Sequence, residues 1–540
     1  MADHQAQIAQ NTQQGQAISR PPSYAPELET AEMERVRVNY VKWGLGCAGV
    51  FMLLASIGTM FALIVTPVVF RNMLPEQQQI WMHRLPFLAA FKPTRIFQGQ
   101  YLPTVGAGDS VDANSLLTPS DPGVAVAANP DELVASPTPL PTETPTPTAT
   151  SGKVMPTSVL ASNTPVISTA LPTATVPVSP TPIPTATVML PTLPPTEIPV
   201  PSSAFVTGIK FVQQGWNNCG PANVTQVLHK FGWTGTQNDA AAYLKPWTED
   251  KNVSPWQIVT YVNNNFQDTL GLRSLYRYGG TLRLLKLLMA NDFGVIIEKG
   301  DFIVGEGWMG HYLTMQGYDD YATTSDKAGV VYGMDTNRGP SGNGNGRPFS
   351  YDELDSRWRQ FNRIFIVIYP TAREGELAKL LGNYADEEWS VRAALNTAQR
   401  EASELGSDAY AWYNIGTNLT LLKDYKRAAA AYDQALKIGL EWRTFWYEFS
   451  QYDAWYNLGY YDEILVQTDT VLQTTSDGKG LGLEEQHYWR GMVYAAKGDN
   501  DQATREFELT LNWNKNFTPA QEALAQVQTG RFQAPEVAQN

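Results

Sequence analysis

The stretch Gln213–Trp233, QQGWNNCGPANVTQVLHKFGW, holds one of only two cysteines in 540 residues. After Cys219, Gly220 and Pro221, the apolar residues Val224, Val227, Leu228 and Phe231 fall at the i, i+3, i+4, i+7 spacing of a one-faced helix. Proline suits the first helical position, because its missing N–H would have no intrahelical partner there. Gly232, just past the last apolar residue, supplies a stop. Cys219 is therefore expected at a helix N-terminus, where unpaired N–H groups and the dipole favour an anion and lower a thiol pKa. A free cysteine is also often a small buried hydrophobe, and helix placement alone does not choose between the two.

Composition narrows the function classes. A net charge of −14 argues against nucleic acid as a partner. With only Cys47 and Cys219 there is no disulfide framework and no cysteine-based zinc site. The five histidines, His4, His83, His229, His311 and His487, form no closely spaced ligand pair, so neither a metal nor another cofactor is expected.

Composition also divides the chain. Residues 1–42 are polar and read as a disordered tail. Trp43–Phe70 is a run of 28 residues without a charge, long enough at ~1.5 Å per residue to cross a ~30 Å hydrocarbon core as a transmembrane helix. Cys47 lies inside it as a packing residue. Residues 71–135 are juxtamembrane and irregular. In 136–203, a Pro/Thr-rich linker, Ser136–Pro201 holds 17 of the 36 prolines and only three charges; it cannot bury a core and reads as a disordered, semi-rigid stalk. Such a stalk beside an anchor favours an extracytoplasmic placement of the C-terminal domains at a cell membrane.

Residues 204–370 put helical patterns first (Pro221–Lys230, Pro255–Asn264, Thr281–Ala290) and short β-rich runs later (Gly294–Gly300, His311–Asp319, Gly329–Asp335, Arg363–Pro370), an α+β order. Residues 373–530 read as helix throughout. Trp412, Ile415, Gly416, Leu419, Ala428, Tyr432 and Ala435 sit at a spacing that recurs 75 residues later as Gly491, Tyr494, Ala503 and Phe507. Trp446 falls 34 residues after Trp412, with GYYDEI (Gly459–Ile464) as a degenerate copy between. This register resembles a short tetratricopeptide array, whose groove would hold a protein partner. Residues 371–540 carry 25 acidic and 15 basic side chains, a balance suited to basic peptides.

A thiolate enzyme needs a base, an orienter for it and oxyanion donors. His229 lies ten residues along the same helix, ~15 Å from Cys219 and out of reach. His311 is the remaining histidine of this region, at the start of a strand. Asp335 ends the next strand and can orient its ring; Asp319, eight residues down the His311 strand, lies ~26 Å away. Gln213 can present a side-chain amide beside the Cys219 N–H, with Gln214 the near alternative.

The order Q-x5-C-G-P-A, then a strand-initial histidine, then an aspartate closing the following strand, resembles the papain-like peptidases of the bacteriocin-processing (double-glycine leader) family over residues 204–370. The resemblance implies Cys219 as nucleophile, His311 as general base and acid, Asp335 as its orienter and Gln213 as oxyanion donor. Family members are often fused to an ATP-driven exporter; no phosphate-binding Gly-rich loop occurs here, so double-glycine leaders are not implied as substrate. The segment Asp320–Gly329 is a polar insert, a lid or a longer turn. The fold class expected is multidomain: transmembrane helix, disordered Pro/Thr-rich stalk, α+β papain-like domain and all-α tetratricopeptide array. The function expected is a membrane-anchored cysteine peptidase acting on a peptide or protein, with a repeat domain that is separable from the catalysis of small peptides. The competing reading is a surface scaffold with a non-catalytic peptidase-like module.

Overall fold

The computed structural model describes residues 104–106, 111–118, 198–303, 307–341, 344–475 and 482–537, all within one compact unit. Among these are seven strands in one sheet. β1 (Ser203–Phe205), β2 (Leu272–Arg277), β3 (Gly294–Ile303), β4 (Gly307–Thr324), β5 (Lys327–Met334), β6 (Arg347–Ser350) and β7 (Phe365–Pro370) pair antiparallel throughout. The order is β2-β7-β3-β4-β5-β6, and β1 joins the far end of β4.

Both faces of the sheet are covered, and its central strands alternate sides with period two. One face carries Ile296, Tyr312, Ile366 and Ile368 against α1 (Cys219–Lys230), α2 (Gln237–Leu244) and α3 (Pro255–Leu270). The other carries Val295, Ile297, Leu313, Phe365 and Val367 against α4 (Leu282–Ala290), α5 (Tyr351–Trp358) and α6 (Glu374–Leu381). α3 starts as its sequence signals: Ser254 and Gln257 form a capping box, Pro255 opens the helix, and Gly271 closes it in the left-handed region. The insert at 320–329 is no lid. It continues β4 into β5 through Ser325 and Asp326, both at positive φ, as in the tight turns that match strand twist.

The C-terminal helices stack on one another: α7 (Glu387–Glu404), α8 (Ala409–Leu421), α9 (Tyr425–Ile438), α10 (Ser450–Asn457), α11 (Tyr461–Leu472), α12 (Glu484–Ala496), α13 (Asn500–Trp513) and α14 (Thr518–Gln528). The small-on-aromatic contacts set 75 residues apart are both present. A Cβ on Gly416 would lie 2.5 Å from the Tyr432 ring, and one on Gly491 would lie 2.6 Å from Phe507. The copy between them is broken. α9 stops at Gly439 (φ 108°), and Trp442–Trp446 forms only a 3-10 turn.

The stacked helices are joined to the sheet by a continuous junction. Trp308, at the start of β4, stacks on Phe361 and Tyr410 and meets Tyr447 edge-on. Asn362 and Asn418 exchange side-chain hydrogen bonds of 2.8 and 3.3 Å. The Arg363 guanidinium is buried between Asp355 and Glu401. At the other end Lys251 N–H donates to Gly482 O (3.0 Å), and Asn514 donates to Leu244 O (2.9 Å). Asn414 and Asn418 of α8 and Glu485 of α12 thus contact the sheet domain.

The expected fold class needs correction. Among the described residues no helix is long and apolar enough to cross a membrane, because their apolar faces are taken up by the sheet and by one another. The run 43–70, read as a transmembrane helix, lies outside the described residues, as do the tail 1–42 and most of 71–203. What stands in place of that class is one antiparallel seven-stranded sheet with fourteen α-helices among the described residues. The proline-rich run itself lies outside the described residues as far as residue 197. Residues on its N-terminal side dock onto the helices: Val105 N–H donates to Asp433 Oδ1 (2.9 Å), Leu116 is fully buried, and Gln399 donates to Leu116 O (2.7 Å) and Thr118 O (3.0 Å). The described residues on both sides of the proline-rich run therefore belong to the same compact unit.

Candidate active site

α1 begins at Cys219 itself, two residues before the proline, which leaves the first N–H groups of the helix without intrahelical partners. Its N-terminus meets the sheet where β5 parts from β4. The pairing of those strands starts at Thr314 opposite Met334, and residues 335–337 then turn away. A buried polar stripe on α1 holds the helix in this split. Asn223 donates to Cys219 O (2.8 Å), Tyr312 O (3.0 Å) and Thr336 Oγ1 (3.3 Å), and accepts from Thr314 Oγ1 (2.7 Å). Gln226 donates to Thr314 Oγ1 (3.1 Å) and Met334 O (3.3 Å) and accepts from Val212 N–H (3.1 Å). Such a network fixes helix against strands more narrowly than apolar contact would.

The split brings three of the expected residues together. His311 Nε2 lies 3.2 Å from Asp335 Oδ1, and the ring also hydrogen-bonds the Cys219 thiol. A carboxylate only accepts, so Nε2 carries a hydrogen and Nδ1 is left to face the sulfur. Asp335 Oδ1 accepts in addition from the N–H groups of Asn337 (3.0 Å) and Arg338 (2.9 Å). His311 is 7% exposed and Asp335 1%.

Burial alone would keep all three neutral. For Cys219 it is outweighed by the His311 hydrogen bond and charge, the Tyr312 N–H and the charge of Lys245, which bring the thiol below its ordinary value. For His311, burial is outweighed by the bonds to Asp335 and Cys219, which raise the imidazole to about 9. For Asp335, the His311 bond and charge, Lys299 and the Arg338 N–H overcome burial and hold the carboxyl well below the usual carboxylate range. The opposed shifts of thiol and imidazole favour the thiolate–imidazolium form of the pair over the neutral one.

Gln213 does not join them. Its amide donates to Thr336 O (2.9 Å) and Asn337 O (3.1 Å), so both of its hydrogens are taken by carbonyls. Gln214 is anchored through its oxygen, which accepts from Thr336 Oγ1 (2.7 Å), and its NH2 group is left for another acceptor. His229 bonds Gly235 O at 2.8 Å, away from the site, and Asp319 caps the N–H groups of Tyr321 and Ala322.

Several groups here were not singled out from the sequence. Lys299, fully buried on β3 opposite His311, pairs with Asp301, which also takes Arg357. Lys245 donates to the carbonyls of Asn217 (3.1 Å), Thr248 (3.2 Å) and Asp250 (3.1 Å). Asn223 and Gln226 carried a legible hint, being polar residues three apart inside an otherwise apolar helix face. Lys299 and Lys245 carried none, since nothing local distinguishes a lysine held over a site from one in water.

No protein-family model and no curated protein matches this chain.

Proposed function

We propose that the protein is a cysteine peptidase in which Cys219 attacks a peptide carbonyl as a thiolate. The observation that supports this most is the alignment of Cys219, His311 and Asp335 in the split between β4 and β5. The imidazolium of His311 gives its Nδ1 proton to the leaving amine as the acyl–thioester forms. The same nitrogen then takes a proton from the water that hydrolyses it. Asp335 fixes the ring and its charge. The oxyanion donors are the Cys219 N–H and the Gln214 amide. Gln213 positions the 336–337 turn. Substrates are peptides or proteins, and the stacked helices form one wall of the cleft that receives them.

A thiol-selective electrophile tests the proposal. Cys219 in the full chain should react faster at neutral pH than a free thiol, and His311→Ala should bring it down to the free-thiol rate. Slow reaction in both, with partner capture retained in Cys219→Ala, would favour the scaffold reading instead. The assignment of the amide donor has its own check. Gln214→Ala should lower kcat by about 10²–10³-fold with KM little changed. Gln213→Ala should cost much less; the reverse ranking would return the role to Gln213.

An extracytoplasmic setting for 198–540 at a cell membrane is also our inference. It rests on the Pro/Thr-rich composition of 136–201 beside the uncharged run 43–70. Protease added to intact cells should reach these residues; full protection until the cells are opened would refute that placement.

A further inference from the structure

The loop that carries both proposed oxyanion donors is held from outside by α2. Thr236 caps that helix in a T-x-x-D capping box, with Asp239 Oδ2 accepting from the Thr236 N–H and hydroxyl, each at 2.7 Å. The first helical residue, the half-buried Gln237, is thereby fixed in place. Every hydrogen bond of its amide runs to the loop. The NH2 group donates to Gln213 O (2.6 Å), and the oxygen accepts from the Gly215 N–H (2.8 Å) and the Asn218 amide (3.2 Å). A backbone carbonyl only accepts and a backbone N–H only donates, so these partners set which way the Gln237 amide points. Between the two backbone anchors, the Gln214 N–H is taken by Thr336 O (2.9 Å). Asn218, the third anchor, directly precedes Cys219 and caps α1. Lys245, which closes α2, donates to Asn217 O (3.1 Å), so both ends of α2 hold the approach to the nucleophile.

We propose that Gln237 is a positioning residue for the reaction: it fixes the Gln214 amide relative to the Cys219 N–H, so that both reach one substrate oxygen. The proposal rests on Cys219 being a peptidase nucleophile. The task suits glutamine. An apolar side chain offers neither bond, a carboxylate has no hydrogen for Gln213 O, and asparagine is one methylene shorter. Without the Gln237 amide, the backbone is released on both sides of Gln214 at once, and Asn218 loses its tie to the same point. Gln214 is then held by Thr336 alone. An oxyanion donor works only at the place where the charge develops, and a misplacement of about 1 Å can cost on the order of 10²-fold in rate. The hydrogen-bond partners of Gln237 include neither the Cys219 sulfur nor the His311 ring, so the nucleophile itself should form without it.

Two reagents on the full chain separate this role from plain structural support. Iodoacetamide forms an S–C bond at Cys219 as iodide leaves, with no oxyanion. A peptide aldehyde instead takes the sulfur at its carbonyl carbon, the π pair moves to oxygen with the proton of His311, and nothing leaves. Its affinity, read as protection of Cys219 from iodoacetamide, reports the oxyanion site without turnover. A panel of N-acetylated aldehydes with apolar, basic and acidic side chains supplies the ligand. Gln237→Met, with Gln237→Asn as the second variant should the first not fold, should leave the alkylation rate unchanged. Aldehyde affinity should weaken by about 10–10²-fold, and peptide kcat should fall alike with KM little changed. In a Gln214→Ala background Gln237→Met should lose much less, because the group it positions is gone. Aldehyde affinity equal in wild type and variants, alkylation slowed as much as affinity, fully additive losses, or a wild type that binds none of the aldehydes each overturn the proposal. Aldehyde binding weakened by the variants, with no peptide cleaved by the wild type, keeps the role of Gln237 and removes the peptidase reading.

Discussion

Cys219→Ala should reduce peptide hydrolysis by on the order of 10⁶-fold in kcat while the protein remains folded. The thiol sits at a helix start fixed by Asn223, Gln226 and Thr314, none of which needs the sulfur. His311→Ala should be nearly as damaging, and the double variant no worse than either alone, because nucleophile and proton carrier act as one unit. His229→Ala is the control. Its imidazole is engaged with Gly235 O, and turnover should barely change. The pH profile of kcat/KM adds a sign. The active pair needs the imidazolium, so activity is present while His311 is protonated and is lost as pH rises through about 9. Asp335→Asn removes the charge that raises His311 and should move that alkaline limb downward. An unmoved limb would mean that Asp335 does not act on the ring.

Removing residues 386–537 should cost the folded state of what remains. From sequence the helical region is expected to be separable, with small-peptide cleavage surviving its deletion. The junction reverses that expectation. Trp308 and Phe361, each 1% exposed, and Ile364 belong to a core otherwise built from the helices. Exposing three such side chains forfeits about 1.5–3 kcal/mol each, against a total stability of about 5–15 kcal/mol for a domain. Asn362 and Arg363 would lose Asn418 and Glu401 at a pair of positive-φ residues that already carry backbone strain. The truncated chain should be insoluble or should melt without a cooperative transition. A soluble fragment with unchanged kcat would show that the junction is a simple docking contact.

How much of this was legible follows from the range of the interactions. The start of α1 and the end of the strand before Asp335 are set by neighbours a few residues away, Gly220–Pro221 and the turn after Met334, whereas His311 is not strand-initial as expected but lies inside β4, which begins at Gly307. A chain with one histidine in reach of its helical cysteine leaves little freedom in choosing the base. The choice between Gln213 and Gln214 was not legible, because both amides reach Thr336, far away in sequence, and differ only in that it engages the NH2 group of one and the oxygen of the other. The buried charges were hidden for a related reason. Lys299 and Asp301 occupy a strand end that reads as surface, and their partners Arg357 and Asp335 come from elsewhere in the chain. The irregular copy around Trp446 was visible as a weak repeat. Its packing was not: a stretch that fails to become a helix is free to lay Tyr447 against Gly310 and Trp308 of β4.

The docking of residues 104–118 has a mechanical consequence. Val105 and Leu116 are held by α9 and α7, and Ile198 is held by Arg283 of α4, so the described residues on either side of the proline-rich run are seated in the same body. A single cut between residues 118 and 198 should therefore leave both described flanks attached to that fold.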